Sequence, residues 1–177
     1  LSVALRHVPP TPGSETSERS DLHALLVQGQ LRVRARGRTV SAAGVHVTLV
    51  AERLVELATE AFDSFEHARP LFRRLDVGEL RIGVRRGPGD GALTVSFGRR
   101  DGGAVTFPEI EAKVLARASA TFAVNLAQAF CDSDPNQKRN LRLQDLVTRA
   151  QELLDRTTSA EREVARTNDA PVPYRAF

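Results

Sequence analysis

Two short stretches of this chain alternate strictly between apolar and polar residues, and no other feature constrains its fold as tightly. Leu31, Val33 and Ala35 interleave with Arg32, Arg34 and Arg36, while Leu80, Ile82 and Val84 interleave with Arg81, Gly83 and Arg85. Successive side chains of a strand point to opposite faces, so each stretch reads as a strand with one buried and one wetted face. Val45-His46-Val47 reads as a further short strand. The loop Gly87-Pro88-Gly89-Asp90-Gly91 returns the chain into Leu93, Val95 and Phe97 as a hairpin. Asp101-Gly102-Gly103 then turns into Ala104–Phe107, while Arg36-Gly37-Arg38 reads as a turn or a bulge.

Elsewhere the apolar period changes to that of a helix. Thr48 predicts an N-cap for a helix reaching Phe62, with Leu54, Leu57, Ala58 and Ala61 on one side and Glu52, Glu56, Glu60 and Asp63 on the other. Phe65–Leu75 reads as a helical turn interrupted by Pro70, which lacks an N–H. Thr106-Phe107-Pro108-Glu109 matches a capping box and predicts a second helix, striped by Ile110, Val114, Ala118, Phe122, Leu126 and Ala129 and ended by Asp132–Asn136. A third runs from about Leu141, with Leu143, Leu146, Val147, Ala150, Leu153 and Leu154 on its apolar side. The fold class is therefore α+β: an antiparallel sheet of about five strands with two to three long helices packed on one face.

Gly29-Gln30-Leu31-Arg32-Val33 matches Gly78-Glu79-Leu80-Arg81-Ile82, and Val47-Thr48-Leu49 matches Val105-Thr106-Phe107. An internal ββα pseudo-repeat explains these matches, and so does chance similarity of two amphipathic units. Residues 1–20, rich in Pro and Ser, read as a flexible N-terminal arm, within which Leu1–Arg6 has the makings of an edge strand. Residues 21–167 form one domain, and residues 168–177 an extended tail. The chain opens on Leu1 and contains no Met, so Leu1 is not expected to be the native start.

No apolar signal core or bilayer-length apolar run stands out, and the single cysteine, Cys131, excludes a disulfide framework; a cytoplasmic, non-membrane protein is expected. His7, His23, His46 and His67 lack metal-ligand spacing, so neither metal nor cofactor is expected. Cys131 falls where a helix C-terminus disfavours a thiolate. The Gly87–Gly91 loop joins two strands, whereas a phosphate-binding loop leads from a strand into a helix.

The informative constellation is the arginines. All but Lys113 and Lys138 of the 25 cationic residues are Arg, and no acid occurs from Leu22 to Ala51. If both alternating strands share one sheet, Arg32, Arg34, Arg36, Arg38, Arg81, Arg85 and Arg86 converge on one surface. Guanidinium forks suit phosphates and carboxylates. The plainer account is a solvated sheet face. With no catalytic motif, the chain reads as a non-catalytic interaction module carrying an arginine-rich sheet face for an acidic protein partner. Small residues at Ala112, Ala116, Ala120, Ala123 and Ala127 suggest close helix packing, extending to a homodimer. The alternative is a nucleic-acid-binding regulator on the same arginines, though no aromatic stands among them in the sequence for base stacking. A third reading is an enzyme with a cleft near Arg85, Arg86 and the glycine loop.

Overall fold

In the computed structural model, residues 2–5, 27–87 and 89–168 are described. The order is β1 (Ser2–Leu5), β2 (Gln28–Ala35), β3 (Arg38–His46), α1 (Val47–Glu66), β4 (Leu71–Val77), β5 (Leu80–Arg86), β6 (Leu93–Arg99), β7 (Ala104–Ile110), α2 (Ala112–Ser133), a 3₁₀ turn (Pro135–Arg139) and α3 (Leu141–Asn168). The α+β class holds. The strands, however, form two antiparallel sheets rather than one: β1-β2-β3 and β4-β5-β6-β7. The long helix α1 separates them in sequence.

β2 follows its alternation, with Leu31 and Val33 buried and Arg32 and Arg34 exposed. It turns into β3 through Arg36 and Gly37, at φ 48 and 73°, closed by the Ala35–Arg38 pair. Two positive φ angles in a two-residue loop give the mirror-image turn whose twist suits a hairpin. Gly44, at φ 69°, occupies the bulge where the β2–β3 register shifts. Ser2–Leu5 pairs with Gly29–Arg32, so part of the expected N-terminal arm is an edge strand. Residues 6–26 and 169–177, which carry the rest of the arm and nearly all of the expected tail, lie outside the described residues.

The second sheet corrects two expectations. Residues 71–77 are strand β4, not part of a helical turn, because Leu71, Leu75 and Val77 find partners along β5. Residues 104–110 form β7, and α2 opens only at Ala112 after Glu111. Pro108 is tolerated there because β7 is an edge strand. Val47–Leu49 therefore opens a helix whereas Val105–Phe107 lies mid-strand, so the second half of the proposed repeat does not superimpose. Thr48 likewise sits inside α1, one residue past its start.

One core joins both sheets and the helices. α1 buries Val50, Leu54, Leu57, Ala58 and Ala61 at helical spacing. α2 is buried on a broader arc, including Ala116, Ala120, Phe122, Ala123, Leu126 and Phe130, because it packs against both α1 and α3. The small residues expected to admit a neighbour thus admit helices of the same chain, and Val114, expected in the apolar stripe, is exposed. By length and composition alone α2 is long and apolar enough to cross a bilayer, and half of its most apolar window is buried within the protein, as in a core helix. Arg142 pairs with Glu52, and Arg156 with Asp63 and Glu66, so α1 and α3 run in the same direction.

Among the described residues the buried Ser119 hydroxyl of α2 finds no hydrogen-bond partner. A buried hydroxyl with no partner carries an uncompensated desolvation cost of about 1–3 kcal/mol. Ser119→Ala should therefore raise stability by about 1 kcal/mol, read as a rise of roughly 2–4 °C in melting temperature. A fall would show that the hydroxyl is satisfied in solution.

Candidate partner-binding surface

The seven arginines do not share one platform, because β2–β3 and β5 belong to different sheets. Each must be placed by what its side chain touches.

Arg32 and Arg34 project from the outer face of the first sheet, opposite Ser41 and Thr39 of β3. Neither side chain has an acidic partner among the described residues, as the acid-free run from Leu22 to Ala51 suggests. Arg36 and Arg38, at the tip of the same hairpin, brace the two sheets instead. Arg36 Nη2 donates to the Glu109 carbonyl at 2.8 Å, and Arg38 Nη1 to the Thr106 carbonyl at 3.0 Å. These acceptors lie on the edge strand β7, where Glu109 takes a φ of 56°. The Arg36–Glu109 ion pair at 3.5 Å is exposed and adds less than about 1 kcal/mol.

Arg81 is engaged within its own sheet. Its Nε donates to Asp76 Oδ1 at 2.9 Å across the β4–β5 pair. That hydrogen bond holds the Asp76 carboxyl below its ordinary range, with the nearby Arg81, Arg74 and Arg100 charges acting in the same direction, and it raises Arg81. A depressed carboxylate contributes stability above its unfolded pKa and loses it as pH falls through the folded value, below about pH 4.

Arg86 is buried, not displayed. Its Nη1 donates to the carbonyls of Ser64 at 2.8 Å and Arg69 at 2.7 Å, and its Nε to that of Asp90 at 3.1 Å. The guanidinium carbon lies 4.0 Å from the centroid of the Phe65 ring. It binds the end of α1 to the β5–β6 loop, where Gly87 N–H also donates to Asp90 Oδ2 at 2.7 Å.

Arg85 remains exposed on the outer face of the second sheet, cross-strand from Phe72. Phe72 is 77% exposed, an aromatic among the arginines that the sequence reading missed. The signal for it lay in Leu71, Leu75 and Val77, which mark a strand after Pro70 and put Phe72 and Arg74 on the opposite face. Arg32, Arg34 and Arg85 are thus the predicted residues left for a partner.

An apolar cleft of about 90 Å³ opens between the sheets and the start of α2, walled by Val33, Ala35, Phe97, Phe107, Ile110 and Leu115 and bordered by Arg34. It lies away from the glycine loop, and its walls offer no general acid or base. Among the described residues no three His, Cys, Asp or Glu side chains converge as a metal site would need. Burial, then Asp132 and Asp134, raise the Cys131 thiol, and Lys138 only partly opposes them. No protein-family model, curated protein or solved structure matches the chain.

Proposed function

We propose that this chain is a non-catalytic interaction module whose first sheet receives an acidic protein partner. The observation that carries the reading is the pair of Arg32 and Arg34, exposed side by side on one strand, with Ser41 and Thr39 opposite and no acid nearby in sequence. Carboxylates offered by a partner find two guanidinium forks that no bond occupies among the described residues. The apolar character of the neighbouring cleft supports binding over catalysis.

Self-association is part of this proposal, supported by the edge strand β4 and the exposed ring of Phe72, since the alanines of α2 are already covered. The nucleic-acid reading keeps one specific support, the Phe72 ring cross-strand from Arg85, an arrangement suited to stacking a base beside a phosphate.

Titration with an acidic peptide and with single-stranded oligonucleotides separates the two readings. The proposal expects micromolar-range, salt-sensitive binding of the peptide, weakened about ten-fold or more by the double change Arg32→Ala and Arg34→Ala. Binding of oligonucleotide alone, lost with Phe72→Ala and Arg85→Ala, would replace it with the nucleic-acid reading.

A further inference from the structure

On the outer face of the second sheet, the cross-strand register sets Phe72 beside Arg85 and Thr94, and Arg74 beside Gly83 and Ser96. Strand residues two apart share a face at a spacing of about 7 Å, so Phe72 has Arg74 along its own strand and Arg85 directly across from it. The ring is 77% exposed, and both arginines are exposed. Among the described residues neither guanidinium makes a hydrogen bond or a salt bridge. The rings that carry a guanidinium there are Phe65 and Phe62, not Phe72. Asp76, the acid on this face of β4, is already held by Arg81. The floor beside the cations is shallow and polar, because Gly83, Thr94 and Ser96 are small and the Ser96 hydroxyl bonds back to the Gly83 carbonyl at 3.4 Å.

We infer that this face binds single-stranded nucleic acid, with one base stacked on Phe72 and the adjoining phosphates held by Arg74 and Arg85. Complementarity selects the ligand. A ring with open faces between two guanidinium forks matches the base and the phosphate of a nucleotide, and a single strand offers bases that a duplex keeps stacked. One ring reads no sequence, so any base serves. The first sheet offers no such ring, since Arg32 and Arg34 stand opposite Ser41 and Thr39. The two faces thus sort their ligands, carboxylates to Arg32 and Arg34 and nucleotides to Phe72. This second site goes beyond the acidic-partner reading and does not depend on it. Stacking engages the face of the ring and leaves the β4 edge open for self-association.

The test is titration of the full chain with a labelled oligothymidylate of about 12 nucleotides. Phe72→Ala should weaken binding at least about five-fold at unchanged salt dependence. Arg74→Ala with Arg85→Ala should weaken it and lower the slope of log affinity against log salt by about 1.4, at about 0.7 per phosphate contact. Thermal melting of these variants should match that of the unaltered protein, because all three side chains are exposed. Phe72→Trp supplies an optical reading, since the chain has no tryptophan of its own. Its emission should be quenched by the oligonucleotide and not by an acidic peptide. No binding at low salt overturns the inference, and so does binding that Phe72→Ala leaves intact without a quench. Loss of oligonucleotide binding on Arg32→Ala with Arg34→Ala moves the site to the first sheet and overturns it. An acidic peptide that displaces the oligonucleotide assigns the face to a protein instead, and a dimer that Phe72→Ala dissociates assigns it to a second copy. Peptide binding at Arg32 and Arg34 stands or falls by its own double change.

Discussion

Arg86→Ala should destabilise the protein by about 3 kcal/mol, lowering the melting temperature by roughly 6–12 °C. Arg86 is a buried cation with no carboxylate paired to it among the described residues; three carbonyl oxygens and the Phe65 ring hold it instead. Two of those carbonyls, of Ser64 and Arg69, lie in the last turn of α1 and just beyond it, where helix carbonyls lack intrahelical donors and the helix dipole favours positive charge. Removing the guanidinium takes a donor from each of these acceptors, leaving the Ser64 carbonyl with the Arg69 N–H at 2.8 Å, and takes the cation from the ring. Arg86→Lys should recover little, because one ammonium cannot reproduce a planar fork bridging three oxygens. Urea unfolding at unchanged slope is the check; a loss below about 0.5 kcal/mol for Arg86→Ala would mean that the clamp does not form.

Asn140→Ala should cost about 2–4 kcal/mol through a different device. Asp134, Gln137 and Asn140 are buried in the connection between α2 and α3. Asn140 Oδ1 accepts the Leu143 N–H at 3.1 Å, capping α3, while its Nδ2 donates to Gln137 Oε1 at 2.8 Å. Gln137 Nε2 donates to Asp134 Oδ2 at 3.3 Å, and Asp134 Oδ1 accepts the Asn136 N–H at 3.0 Å. Alanine removes the cap and strips a donor from a buried amide. Asn140→Ser, which keeps an acceptor for Leu143, should recover about 1 kcal/mol of the loss. Equal melting temperatures for the Ala and Ser variants would contradict the capping role.

The parts of this fold that could be read from the chain are those set by local periodicity. Leu31 and Leu80 are buried beside Arg32 and Arg81 because a strand with one covered face must alternate. The β5–β6 hairpin and the Leu141 helix were legible for the same reason. What local pattern cannot supply is the choice between competing local signals. Thr106-Phe107-Pro108-Glu109 satisfies the spacing of a capping box, yet pairing of Val105 and Phe107 with β6 prevails. Pairing is also what divides the strands into two sheets, and nothing in the alternation of β2 or β5 says which neighbour each will take.

The site was legible to the same extent. Arg32 and Arg34 stand exposed because their strand phase and acid-free surroundings are written locally. Arg36 and Arg38 bond to carbonyls 73 and 68 residues away, and Arg86 to one 22 residues away, distances at which spacing carries no information. Phe72 was hidden by Pro70, which suggested a broken helix where the chain begins a strand.

The central claim is a division of labour among the seven arginines. Alanine replacement of each in turn, with stability and acidic-peptide affinity measured on the same samples, tests it directly. Arg32→Ala and Arg34→Ala should weaken binding at unchanged stability, whereas Arg86→Ala, and to a lesser degree Arg36→Ala and Arg38→Ala, should lower stability while the folded fraction binds normally. Uniform weakening across all seven at unchanged stability would contradict the account, because it would mean that the guanidinium groups form one shared surface.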